Sequence, residues 1–170
     1  MCHLAVLMKL RAILFAIVAF APLSLTLNAA SLGEMTASAG LEWMIGKWAS
    51  DDGQVAFSHT WKLDKHAVAV SFKMGDREGE GMILVKPGTD QVIYGAADNR
   101  GGMAVGKWIT LNGNPTLVST HTDAEGNERK MAIEYVKTDD ETLTIKIHQV
   151  DANGEPGSNV EHEAVFKRQK

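Results

Sequence analysis

Cysteine is almost missing from this sequence: the one thiol among its 170 residues is Cys2. The rest of the chain therefore has no disulfide staples and no catalytic thiol, and must stand on its core. An excess of positive charge is missing too. Lys and Arg number 17 against 21 Asp and Glu, a formal net charge of −4. A mildly acidic surface argues against nucleic acid or an anionic membrane as the main partner. Long apolar runs are absent beyond Ala12 to Ala21, and that run is short for a membrane span, with an uncleaved membrane anchor as its alternative reading. No helical periodicity lasts longer than two turns.

What is present begins with an N-terminal pattern. Lys9 and Arg11 precede the apolar run, and Ala29-Ala30 follow it. This charged, apolar, small-residue order is that of a secretory signal peptide. Residues 1–30 are read as a cleaved signal, with Ala37-Ser38-Ala39 as a second possible cut. The expected location is export, to the periplasm or beyond the cell. Residues 31–40 are small and polar and read as a flexible arm. Removing the signal takes away two basic residues and no acid, so the remainder is more acidic still.

Residues 41–170 read as one all-β domain. Gln54–Leu63 alternates, with Val55, Phe57, His59, Trp61 and Leu63 on one face. His66–Met74 repeats the pattern through Val68, Val70, Phe72 and Met74. Short segments of this kind continue to Asn159–Lys167, separated by Gly, Asn, Asp and Pro turns. About ten strands with short connections favour a single antiparallel up-and-down β-barrel, which removes exposed edges by closing. A two-layer sandwich is the competing fold.

Leu41-Glu42-Trp43-Met44-Ile45-Gly46-Lys47-Trp48, Asp140-Glu141-Thr142-Leu143-Thr144, Gly154-Glu155 and Val165-Phe166-Lys167-Arg168 carry a resemblance. The chain resembles exported bacterial lipocalin-like (calycin) proteins of largely unassigned function, over nearly all of residues 41–170. The resemblance implies a barrel whose first-strand Trp48 follows Gly46 and is crossed by a basic residue of the last strand, Arg168. Guanidinium stacks well on indole, and closure brings first and last strands together. Nitrobindin-like haem barrels are similar in their Gly-x-Trp start and a final-strand His, which here is His162. They differ after the Trp, where this chain has Ala49-Ser50-Asp51-Asp52 in place of a glycine-rich run.

Five residues stand out as ligand-binding candidates: His59, Trp61, Phe72, Tyr94 and His162. Met74, Met82, Met103, Trp108 and Tyr135 are further candidates for an apolar lining. His59 and His162 follow the apolar parity of strands that both neighbour the first. That places their rings two strand spacings apart, roughly 10 Å, too far to share a metal. Each is also readable as a core histidine bonded to a neighbour, or as a residue at the rim. The Gly75–Gly81 spacing joins two strands and so is no phosphate loop. The loop from Asp151 fails as a calcium hand because its twelfth position is His162. Ser71, Ser119, His121 and Asp123 form no recognisable nucleophile–base set. Neither a catalytic residue nor a metal ligand is assigned.

The reading that follows is an exported, non-enzymatic barrel that binds a small, mainly apolar molecule. The alternatives are a calycin-type cyclase or isomerase using an interior His, a haem barrel with His162 as ligand, and a protein-binding or inhibitory barrel.

Overall fold

Ten antiparallel strands close into one barrel in a computed structural model that describes residues 30–170. They are β1 (Gly46–Ser50), β2 (Val55–Lys62), β3 (Ala67–Met74), β4 (Arg77–Val85) and β5 (Val92–Asp98). They continue as β6 (Met103–Leu111), β7 (Asn114–Thr122), β8 (Glu128–Lys137), β9 (Thr142–Val150) and β10 (Pro156–Gln169). Each strand pairs with its sequence neighbours, and β1 closes the ring against β10. The expected all-β, up-and-down barrel is what the chain forms. Residues 1–29, which carry most of the proposed signal peptide, lie outside the described residues. Among the described residues no helix is long and apolar enough to cross a membrane.

Alternating turns gather at two poles. Three turns at one pole share a single device. Asp98, Asp123 and Asp151 each accept the backbone N–H groups two and four residues on. A glycine stands three residues after each Asp, at φ of 81°, 88° and 86°. That left-handed conformation strains any residue with a Cβ, so the D-x-x-G spacing builds the turn.

The opposite pole is sealed. Residues 31–40 are not the loose arm expected from their composition. They carry a short helix, α1 (Leu32–Ser38), begun by a capping box between Ser31 and Glu34. The Ser31 Oγ accepts from the Glu34 N–H at 3.2 Å, and the Glu34 carboxylate accepts from the Ser31 N–H at 2.7 Å. The helix lays Leu32 into a buried cluster with Val68, Val70 and Ile83. A one-turn 3₁₀ helix, Glu42–Met44, then leads into β1.

Trp48 is buried beside Leu143 and Phe166 in a second cluster at this pole. The Arg168 guanidinium lies over its ring, 4.3 Å from the centre. The same guanidinium donates to the carbonyls of Ile45 and Trp43 at 2.9 and 2.7 Å, and to that of Asp140 at 3.1 Å. Gly46, at φ 138°, leaves the space that Arg168 Nη1 fills, 2.5 Å from where a Cβ would stand. The side chain thus stitches the incoming segment to the last strand.

Leu63 departs from the alternation that placed it with Phe57 and His59. It sits at φ 49° in a turn and is 69 % exposed. The apolar face of β2 ends before it.

Candidate functional site

A cavity of about 450 Å³ occupies the barrel, open at the pole of the Asp-x-x-Gly turns. Its walls are inward side chains of most strands, among them Phe57, Val70, Phe72, Leu117, Ile133 and Ile147. The alternation seen in the sequence produces this: one face of each strand is apolar, and closure turns that face inward. A smaller pocket of about 350 Å³ lies beneath the sealed end, between α1 and the barrel. Trp108 borders both.

His59 stands near the floor of the main cavity and is 3 % exposed. Its Nδ1–H donates to the carbonyl of Met44 at 3.1 Å. The same carbonyl accepts from the indole of Trp48 at 3.3 Å. The bond to Met44 fixes the tautomer, leaving Nε2 as an acceptor. Nε2 has no partner within the protein among the described residues. Burial lowers the ring's pKa to about 4, against a small opposing push from Met44. The ring is neutral at ordinary pH. Beside it stands Tyr135, ring centres 6.1 Å apart, and Trp108 follows 5.4 Å from Tyr135. Burial pushes the Tyr135 hydroxyl well above the usual phenol range, and that of Tyr94 up as well. Among the described residues, the Trp108 Nε1–H is the buried side-chain polar atom without a hydrogen-bond partner.

The rim has different chemistry. Arg77 donates to one Asp98 oxygen through Nε at 2.9 Å and Nη2 at 2.6 Å. Nη2 also lies against His121 Nε2, which is 3.2 Å from the same carboxylate oxygen. Burial works to raise the Asp98 pKa. Arg77, the N–H groups of Gly102 and Arg100, and His121 outweigh it and hold the carboxyl well below its usual range. Asp98 is thus the one turn aspartate of the three that reaches inward. Gly102 makes room for it, since a Cβ there would stand 2.7 Å from both Asp98 Oδ2 and His121 Nε2. Arg129, also at the cavity, has Glu161 at 3.8 Å.

Of the sequence candidates, His59, Phe72, Tyr94 and His162 line the cavity, with Met74, Trp108 and Tyr135. Trp61 does not. It shares the face of His59 but sits one layer lower, against the cluster of Leu32, Val68, Val70 and Ile83, with Lys65 Nζ 5.9 Å from its ring centre. Met82 and Met103 are 37 % and 52 % exposed on the outside. His162 is exposed at the rim rather than interior. The two histidines are not neighbours. His59 pairs with Gly46 at the start of β1, whereas His162 lies seven residues before Gln169, the partner of Lys47. They are separated by roughly 20 Å along the strands.

At the edge of the cavity His162 is exposed beside Glu163. Among the described residues no cluster of three His, Cys, Asp or Glu could hold a metal.

Sequence reasoning missed the rim triad and also a buried network on the outer face of β7–β9. There His148 Nε2 lies 2.8 Å from Glu134, and His148 Nδ1 lies 3.1 Å from the Gly157 carbonyl. Asn114 donates to the other Glu134 oxygen at 2.8 Å. Each ring nitrogen of His148 thus faces an acceptor. Burial works to raise the Glu134 pKa, while Asn114 and His148 bring it down. The network ties the bulged start of β10 to β8. No family model matches the chain, and no curated protein matches it either.

Proposed function

We propose that the chain is an exported, lipocalin-like barrel that carries a small, mainly apolar molecule without transforming it. The observation that carries this reading is the open cavity of about 450 Å³, walled by aliphatic and aromatic side chains with a few polar groups. Volume, enclosure and lining are those of small-molecule sites. The N-terminal signal pattern supports export. His59 favours binding over acid–base chemistry. A group whose conjugate acid forms near pH 4 accepts hydrogen bonds at neutral pH but is a poor proton carrier there.

Native mass spectrometry of protein recovered from the producing cells tests the reading, together with uptake of an uncharged apolar fluorophore such as phenylnaphthylamine. The expected result is a bound apolar molecule or a blue-shifted probe. Ala104→Phe, which puts a ring into the cavity from the β6 wall, is expected to abolish uptake and keep the fold. A wild-type barrel that is empty and takes up no probe overturns the reading. So does uptake that survives Ala104→Phe unchanged.

A further inference from the structure

We propose that the cavity floor is a hydrogen-bonding site for the uncharged hydroxyl or carbonyl end of an otherwise apolar molecule, which enters polar end first. The inference rests on the binding reading above and names the class of ligand.

Three residues with unspent hydrogen-bonding groups stand side by side in the barrel. His59 offers an acceptor, because its Nδ1–H is committed to the Met44 carbonyl at 3.1 Å and Nε2 has no protein partner. The Tyr135 hydroxyl is on a residue only 7 % exposed and makes no hydrogen bond within the described residues. The Trp108 indole N–H is buried and also unpartnered. The three rings are contiguous, with Tyr135 between the other two. Buried polar groups in folded proteins are nearly always paired. Of the three, only the Trp108 N–H is both fully buried and unpartnered among the described residues. His59 Nε2 and the Tyr135 hydroxyl, unpaired within the protein, stand on side chains that line the open cavity, where a guest can complete them.

The pattern is one acceptor, one donor and one group that does either. A hydroxyl matches it by donating to Nε2 and accepting from Tyr135 or Trp108; a carbonyl matches the donors alone. Formal charge does not match. The cavity's cations, Arg77 and Arg129, belong to the rim and already face Asp98 and Glu161. Burial keeps both His59 and Tyr135 uncharged. A carboxylate or an ammonium carried to this depth would lose its water and gain no opposite charge. Above the floor, Phe57, Phe72, Leu117 and Ile133 supply an apolar sleeve for the remainder of the molecule.

The test is a matched series of straight-chain probes on the full-length protein near pH 7: decanol, the methyl ketone of equal length, decane and decanoate. Decanol and the ketone should bind about 10-fold more tightly than decane, the scale of one or two neutral hydrogen bonds. Decanoate should bind more weakly than decanol. In ¹⁵N-labelled protein the indole N–H signal of Trp108, identified by its loss in Trp108→Phe, should shift with decanol and not with decane. Tyr135→Phe removes only the hydroxyl and should lower the decanol-to-decane ratio several-fold. Equal binding of decanol and decane overturns this proposal and leaves the apolar cavity standing. Tightest binding of decanoate, weakened by Arg77→Gln or Arg129→Gln, overturns it in favour of a head group at the rim. Binding of none of the four overturns both this proposal and the function on which it rests.

Discussion

The floor and the rim of this cavity are built from similar polar residues and use them in opposite ways. At the rim, the Asp98 carboxylate is filled by Arg77 and by two N–H groups of its own turn, with His121 Nε2 against both side chains. At the floor, His59, Tyr135 and Trp108 stand in contact as rings yet make few hydrogen bonds. A carboxylate whose lone pairs are already taken is architecture. An unsatisfied polar group is available to a guest. Polarity alone therefore does not mark a site; unspent polarity does.

Removing the seal under the floor tests the comparison most severely. Trp48→Ala deletes a fully buried ring and its bond to the Met44 carbonyl, which also holds His59. A loss of about 3–5 kcal/mol is expected in equilibrium denaturation. A variant as stable as wild type would mean that the floor does not depend on this plug.

Acid separates the two regions. In the unfolded chain His59 takes up a proton near pH 6.5, whereas the folded barrel resists until about 4. The unfolded state thus binds more protons in that window, and stability falls as pH drops from 6.5 to 4. The contribution of His59 to this loss is on the order of 3 kcal/mol. The Asp98 carboxyl acts in the lower range. Its folded pKa is depressed, so its contribution is present above the ordinary carboxylate value and fades below it. Denaturant titrations from pH 7 to 3 should show the floor weakening first, and His59→Gln should flatten that first leg alone. A wild-type barrel indifferent to pH between 6.5 and 4 would show that His59 is solvated.

The smallest effect compares two copies of one turn. Asp98→Ala removes the inward carboxylate, its Arg77 bonds and two N–H acceptors, and should cost about 1–3 kcal/mol. Asp123→Ala removes the same turn device where the carboxylate's other partner is the exposed Asn127 amide, and should cost less. Equal losses would mean that the turn matters and the rim triad does not.

The barrel was legible because alternation and turn spacing are local signals, and ten short strands with hairpin connections have few ways to hide their edges. Depth was not legible. Val55, His59 and Trp61 share one face of β2, yet the first lines the cavity, the second its floor and the third lies beneath it. Parity tells inside from outside, whereas depth is set by register against β1 and by the helix under the floor. That helix has small residues and only two turns, so composition made it look like a loose arm. The Ser31-x-x-Glu34 capping box was the signal that could have found it. The rim triad escaped because Asp98 reads as turn chemistry, and only closure brings it to Arg77 and His121.

The register of Lys47 against Gln169 puts the start of β1 and the end of β10 side by side at the sealed pole. The mouth is made only of hairpin turns, through which neither end of residues 30–170 passes. A dye attached at the end of β10 hangs from the base of the vessel and leaves its opening facing the medium. Turns such as Asp123–Asn127 can then be lengthened or exchanged to reshape the opening without touching the point of attachment.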